Sequence, residues 1–201
     1  MYKIEFPHIK DGNEVYLDCL QAILGDDERN SMIDLGCNLA PHTPKFGFNE
    51  RKYIDIIERE LDHKSEQQFF EQGDVLDTPL DKHYDVAFSL DCIEHLTYDN
   101  GIKLLDIMSK ISQKQILFTP LDDIFGMDYE TENPESHRSL WKPEMIEEKF
   151  PNKYIFIVFP RFHNGWNGGA FFFYSINKFD INNEFKRVSE KLNKYQWANR
   201  L

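Results

Sequence analysis

The segment from Ser31 to Ala40, SMIDLGCNLA, constrains the fold of this chain more than any other, because a short apolar strand runs there directly into Asp34-Leu-Gly-Cys37. Gly36 has no Cβ, so it can adopt a positive φ or let the backbone approach a ligand closely. In a parallel α/β sheet such a turn lies at the carboxyl end of a strand, where ligands bind. The segment therefore predicts the first strand and the ligand-binding turn of an α/β domain, with an ordinary surface turn as the alternative.

Composition and charge narrow the class of protein. The chain has 201 residues, 41% of them hydrophobic and 14% aromatic, which is typical of one globular domain with a sizeable core. A net charge of -12 disfavours a broad basic face, and with it a nucleic acid as the main partner. The N-terminus lacks the apolar core of a signal peptide, and no apolar run approaches the roughly 18 residues of a membrane span.

Cysteine usage indicates the compartment. Cys19, Cys37 and Cys92 are widely spaced and form no Cys-x-x-Cys pair, so neither a disulfide framework nor a zinc ribbon is predicted. This pattern fits a reducing compartment, and we expect the protein to be cytoplasmic. No metal site is predicted.

Strand and helix signals alternate along the chain. Apolar residues recur at helical spacing from Asn13 to Leu24, and Gly25 follows as a stop signal. Two further helices are predicted, at about Tyr98 to Ile111 and at Pro143 to Phe150. Such alternation indicates a mostly parallel, doubly wound sheet with helices on both faces. Seven strands are predicted, at 31–35, 52–57, 68–70, 84–89, 115–119, 154–159 and 170–176.

The last two strands form a different connection. Only about ten residues separate them, too few for a helical crossover, so they should form an antiparallel hairpin that places one reversed strand in the sheet. A C-terminal helix over 181–201 follows, which can pack on its own domain or serve a dimer contact. We therefore expect a single domain over 1–201, with a helical cover at 1–27, a core at 28–178 and the C-terminal helix at 179–201.

Over residues 28–178 the chain resembles the class I S-adenosylmethionine-dependent methyltransferases. The most specific piece is Tyr84 to Leu96, YDVAFSLDCIEHL, which is similar to the family's fourth strand and the Ile-Glu-His-Leu turn that follows it. The resemblance implies a Rossmann-like sheet of seven strands, mostly parallel, whose last strand is antiparallel. The other motifs occur in the family's order: MIDLG at 32–36, YID at 53–55, GDVLD at 73–77, LFTP at 117–120 and the segment 137–143.

This resemblance implies an S-adenosylmethionine site. Gly36 and Asn38 would lie at the cofactor, where main-chain N–H groups of the Gly36 turn reach its methionyl end. Asp34 would brace this loop or accept from the cofactor's ammonium through water, with a turn cap as the alternative. Asp55, with Glu58 as its competitor, would accept the ribose hydroxyls, and such charge-assisted bonds contribute about 1.5–3 kcal/mol each. Asp74 would accept from the adenine amine while Val75 packs on the ring, with a helix N-cap or turn carboxylate as the alternative role of Asp74. The cofactor's central part would be lined by Ser89, Leu90 and Asp91.

Two histidines are candidate catalytic bases toward a substrate. His137 follows the fifth predicted strand and would lie over the transferred methyl, with packing against Trp141 as its structural alternative. His95 opens the helix after the fourth strand, and its structural alternative is to hold the turn. The candidate substrate contacts are aromatic and cationic residues in the loops after the fifth predicted strand and between the last two strands, with ordinary packing as the alternative. They are Tyr129, Arg138, Trp141, Arg161, His163 and Trp166.

The chain departs from the family pattern after its first glycine. Asn38-Leu39-Ala40 replaces the usual glycine-rich run, and Ala40 adds a Cβ where close backbone approach is expected. Pro41 and Pro44 follow, so the first crossover helix should be very short or absent. Whether these residues permit cofactor binding stays open at this point.

The predicted function is methyl transfer from S-adenosylmethionine to a small-molecule acceptor, for example a hydroxyl of a sugar, a lipid-linked intermediate or an acidic metabolite. No Asn-Pro-Pro-Tyr or Asp-Pro-Pro-Tyr run follows the fourth strand, which disfavours methylation of base amino groups. The alternative is a catalytically inactive methyltransferase-like binding or assembly module. A nicotinamide oxidoreductase is disfavoured because no Gly-x-Gly-x-x-Gly turn is present. The acceptor atom, the pathway and the choice between monomer and homodimer stay open.

Overall fold

The computed structural model describes residues 1–6, 12–26, 29–58, 61, 68–121, 128, 133–162, 168–176 and 180–197. Its helices are α1 (Gly12–Leu24), α2 (Tyr98–Ile111), α3 (Pro143–Lys149) and α4 (Ile181–Trp197). Its strands are β1 (Tyr2–Glu5), β2 (Ser31–Leu35), β3 (Glu50–Asp55), β4 (Gln68–Gln72), β5 (Tyr84–Leu90), β6 (Ser112–Pro120), β7 (Ile155–Phe159) and β8 (Ala170–Ile176).

The described strands form one eight-stranded sheet in the order β1-β7-β8-β6-β5-β2-β3-β4. All neighbouring strands pair in parallel except β8, which is antiparallel to both β6 and β7. The predicted α/β class, parallel sheet and terminal hairpin are therefore confirmed. The prediction of seven strands missed β1, which pairs in parallel with β7. Only Ile4 of this four-residue edge strand is buried, so it leaves too short an apolar pattern to detect.

Helices cover both faces of the sheet. The α1 and α4 face encloses one core, which includes Leu20, Phe88 and Val188. The α2 and α3 face encloses a second core, which includes Leu104 and Ile146. Because parallel strands are buried on both faces, they carry nearly continuous apolar runs, as Ile155–Phe159 does.

The C-terminal helix packs on its own domain. Arg187 of α4 donates to the carbonyls of Ala22 and Ile23 at the end of α1, at 2.8 and 3.1 Å. The Phe185 ring lies 5.5 Å from the ring of Tyr2. The segment 1–27 thus contributes a strand to the sheet as well as a helical cover, and none of the described helices has the length and apolar character needed to cross a membrane.

The connection from β2 to β3 is reduced to a 3-10 turn, Thr43–Lys45, with Pro44 in its first turn. Proline is tolerated there because the first N–H groups of a helix have no intrahelical partner. The expectation of a very short first crossover is confirmed. As a result, the loop after β2 is held close to the carboxyl end of β3.

Candidate functional site

A pocket of about 470 Å³ lies at the carboxyl ends of β2, β3 and β5. The chain leaves β2 toward β3 on one side and later returns to form β5 on the other, so this edge is the switch point at which ligands bind in open α/β sheets. The volume is typical of a small-molecule site. Its walls are formed by Gly36, Asn38, Asp55, Ile56, Ile57, Asp74, Val75, Leu76, Asp91, Cys92, His95, Leu96, Thr97, Asn100, Pro134, Glu135 and Arg138.

Gly36 forms the turn that closes one wall. Its φ is +75°, and a Cβ built on it would lie 2.2 Å from Cys92 Sγ, so only glycine fits. The N–H groups of Gly36 and Cys37 both donate to the carbonyl of Ile54, at 2.8 and 3.2 Å. The expectation that these N–H groups face a ligand is therefore not met, because the short connection ties the loop to β3.

The two unusual residues of the loop have different positions. Asn38 has a φ of +48° and lines the pocket, while its N–H donates to Asp55 at 2.8 Å. Ala40 has a φ of +49° and is buried in the α1 and α4 core. The Cβ of Ala40 thus lies outside the pocket wall and does not narrow it.

Asp55 and Asp74 bring two carboxyl groups to the same pocket from neighbouring strands. Asp55 ends β3, and its two oxygens accept from the N–H groups of Asn38 and Ile57 at 2.8 and 2.9 Å. A carboxylate has about four lone-pair sites, so it can accept further bonds from a ligand. Glu58, its competitor in the sequence analysis, is exposed and is absent from the pocket wall.

Asp74 follows β4 and begins a 3-10 turn, Val75–Asp77. Its Oδ1 accepts from the Leu76 N–H at 2.9 Å, which leaves Oδ2 to face a ligand. Val75 is buried and also lines the pocket. An acceptor beside an apolar surface is the arrangement that an adenine ring with its exocyclic amine requires.

Three predicted residues are absent from the pocket wall. Asp34 is buried and accepts from Thr43 Oγ1 at 2.8 Å, while its Oδ1 has no hydrogen-bond donor among the described residues. Burial raises the pKa of Asp34 to about 7, opposed by the Thr43 hydroxyl and reinforced by Asp55. Ser89 is fully buried, and Leu90 packs against the α1 and α4 core.

At the end of β5 the chain turns sharply into the predicted reaction chamber. Asp91 has a φ of +54° and lines the pocket together with His95. The His95 Nδ1 lies 3.3 Å from the Ser136 carbonyl, and burial lowers the pKa of His95 below its usual value. His137 is absent from the wall itself, but its ring lies 4.9 Å from that of His95, edge to face.

Glu94 is the main residue at this site that the sequence analysis did not select. It is 3% exposed, and its Oε2 accepts from Thr119 Oγ1 at 3.0 Å. Burial, and then the charge of Asp91, raise the pKa of Glu94. The sequence signal for Glu94 was its position in the Ile-Glu-His-Leu turn. The sequence does not show that this glutamate is buried.

The six candidate substrate contacts differ in where the structure places them. Arg138 lines the pocket, whereas Arg161 is exposed and absent from the wall. Trp141 is 1% exposed, its Nε1 donates to Ser139 Oγ at 2.8 Å and its ring stacks on Tyr98, so it belongs to the core and lies off the pocket wall. Tyr129, His163 and Trp166 lie outside the described residues.

No protein-family model matches the sequence, and no curated protein matches it in a sequence comparison. Several solved methyltransferases have a similar fold. NodS, an N-methyltransferase from Bradyrhizobium japonicum WM9 in complex with S-adenosylhomocysteine, is 12% identical with a TM-score of 0.61, and the alignment covers 83% of this chain and 87% of that one.

Two further structures give the same result. A 1,6-didemethyltoxoflavin N1-methyltransferase from Burkholderia thailandensis, with bound 1,6-didemethyltoxoflavin and S-adenosylhomocysteine, is 14% identical over 83% of this chain and 80% of that one, with a TM-score of 0.61. Magnesium protoporphyrin IX methyltransferase from Synechocystis PCC 6803, with bound S-adenosylhomocysteine, is 14% identical over 82% and 84%, with a TM-score of 0.56. At these identities the comparisons show that the chain has the class I methyltransferase fold.

Proposed function

We propose that this protein is an S-adenosylmethionine-dependent methyltransferase that acts on a small-molecule acceptor. The observation that carries the proposal is the pair of carboxyl groups, Asp55 and Asp74, at one pocket over the switch point of the sheet. S-adenosylmethionine offers donors that match both, the ribose hydroxyls and the adenine amine. Bound there, it would supply an electrophilic methyl carbon on a sulfonium.

The chain's own residues would bind and orient the reactants. Asp55 would accept the ribose hydroxyls with the lone pairs that Asn38 and Ile57 leave open. Asp74 Oδ2 would accept from the adenine amine against Val75. Holding two reactants in near-attack geometry can contribute on the order of 7–11 kcal/mol, so alignment alone supports substantial catalysis.

Another part of the pocket wall supports a polar or acidic acceptor. Arg138 lies on the wall, and its guanidinium can donate to an oxygen of the acceptor. A cationic guanidinium favours an acceptor with a carboxylate or phosphate. A hydroxylated acidic metabolite is the substrate class that this wall fits.

Calorimetric titration of the full chain with S-adenosylhomocysteine tests the proposal. The sharpest variant is Asp74→Asn, because asparagine caps the 3-10 turn as well as aspartate does and leaves the fold in place. Losing one charge-assisted bond of about 1.5–3 kcal/mol should weaken binding by about 10- to 150-fold. Asp81→Asn is the matched control, since Asp81 is exposed and outside the pocket wall.

The outcomes separate the two functions that the sequence leaves open. Micromolar binding that Asp74→Asn weakens and Asp81→Asn preserves supports the methyltransferase. Absence of heat at millimolar ligand would contradict it and favour an inactive binding or assembly module. Equal affinity in both variants would place the ligand away from Asp74 and refute the assignment of the adenine site.

A further inference from the structure

Three potential metal ligands meet beside the pocket. Glu94, His95 and His137 each offer one ligand atom, and these atoms all lie within 4.8 Å of one another. Glu94 and His95 belong to the 3-10 turn after β5, whereas His137 comes from the segment between β6 and α3. The Glu94 carbonyl accepts from the N–H groups of Arg138 and Ser139 at 2.8 and 3.0 Å, and these bonds hold the two segments together.

The surroundings orient these side chains as the outer shell of a metal site does. The His95 Nδ1 faces the Ser136 carbonyl at 3.3 Å, so Nε2 is the nitrogen left to ligate. Glu94 Oε2 is held by the Thr119 hydroxyl, so Oε1 is the oxygen left to ligate. Metal-ligating histidines usually donate their other N–H to a carbonyl or carboxylate, and ligating carboxylates are themselves hydrogen-bonded.

The buried carboxyl group of Glu94 gives a second argument. Among the described residues, no lysine or arginine lies within ion-pair distance of it. A buried carboxylate is costly unless it is paired, protonated or bound to a metal. A divalent cation between Glu94 and the two imidazoles would supply one of these forms of compensation.

We propose that Glu94, His95 and His137 bind one divalent first-row transition-metal ion, such as Zn²⁺ or Mn²⁺. Two imidazoles and one carboxylate form a donor set that suits these ions, whereas Mg²⁺ and Ca²⁺ favour oxygen ligands alone. Three protein ligands leave coordination positions open, as in catalytic metal sites. His95 lies on the pocket wall, so an oxygen of a small molecule in the pocket can occupy an open position.

This site also narrows the acceptor, an extension that rests on the proposed methyltransferase function. An acceptor hydroxyl bound to the ion becomes more acidic and loses its proton to solvent. Its oxygen then forms a bond to the methyl carbon as the carbon–sulfur bond breaks, and the electron pair of that bond goes to sulfur, which leaves a neutral thioether. The acceptor atom is then oxygen.

Calorimetric titration of the chelator-treated full chain with ZnCl₂ and MnCl₂ tests the site, with metal content measured after dialysis. We expect one equivalent of at least one ion. His137→Ala and Glu94→Gln should each weaken binding by at least about 100-fold, because even outer-shell changes cost about 10- to 100-fold. His83→Ala is the matched control, since His83 is exposed and distant in the fold from this cluster. Circular dichroism checks that each variant is folded.

A wild-type chain that binds neither ion, or a folded His137→Ala variant that binds as tightly as His83→Ala, would overturn the site. The S-adenosylhomocysteine titration, run on the same samples without metal, keeps the two proposals apart. Ligand binding without metal binding refutes the metal site alone. Metal binding without ligand binding supports the site and contradicts the methyltransferase.

Discussion

Replacing Gly36 by alanine should destabilise the protein strongly. The left-handed φ of +75° costs a residue with a Cβ about 1–2 kcal/mol. The new Cβ would also lie 2.2 Å from Cys92 Sγ and 2.6 Å from Cys92 Cβ, and relieving such overpacking typically costs about 1–3 kcal/mol. Gly36→Ala should therefore lower the free energy of unfolding by about 2–5 kcal/mol, measured by urea denaturation with circular dichroism.

Two further variants separate strain from collision. Gly47→Ala is the control, because a Cβ there meets no atom within 4 Å, and its effect should stay within about 0.5 kcal/mol. Cys92→Gly removes both colliding atoms, so the double variant Gly36→Ala/Cys92→Gly should show a favourable interaction energy of about 1–3 kcal/mol in a double-mutant cycle. A Gly36→Ala variant as stable as Gly47→Ala would refute this view of the turn.

Three more predictions follow from buried polar groups. Burial raises the folded-state pKa of Asp34 to about 7, above the unfolded value of 3.8, so its contribution to stability is complete below pH 3.8 and is lost as pH rises to 7. Over that window the free energy of unfolding of Asp34→Asn should rise by up to about 4 kcal/mol relative to wild type in urea titrations. A difference between the two proteins that does not change with pH would contradict the shift. Trp141→Phe loses the hydrogen bond to Ser139, so it should lower the free energy of unfolding by about 1–3 kcal/mol in thermal denaturation. It should change the affinity for S-adenosylhomocysteine less than about twofold, whereas a larger affinity loss would place Trp141 in the site. Arg187→Met should cost about 1–3 kcal/mol in urea because it removes the arginine donor of the Ala22 carbonyl and of the Glu184 carboxylate, and a neutral result would show that water replaces it.

The parts of the fold that could be predicted are those with dense local patterns. Ser31–Leu35 and Ala170–Ile176 were predicted to the residue, because each is a short apolar run bounded by turn residues. The bounds of α2 were also predicted, since its apolar residues recur every three or four positions and Thr97 caps its first turn. The strand Tyr2–Glu5 was missed because its pairing with β7 is visible only in three dimensions.

The candidate site shows the same division. Asp55, Asp74 and Asp91 were selected through the resemblance to the class I methyltransferases, and all three line the pocket. The sequence gives no sign that a buried glutamate, Glu94, lies beside two histidines, because His137 is 42 positions from His95 and the two segments are brought together by backbone hydrogen bonds. The sequence pattern also did not predict the direction of the Trp141 side chain, which is buried in the core.

The central claim is that this pocket binds S-adenosylmethionine in the orientation set by Asp55 and Asp74. A crystal structure of the full chain with S-adenosylhomocysteine tests it most directly. We expect the ribose hydroxyls within hydrogen-bond distance of the Asp55 carboxylate and the adenine amine at Asp74 Oδ2, with the ring against Val75 and the sulfur toward Asp91 and His95. A ligand bound elsewhere, or reversed so that adenine faces His95, would contradict the account.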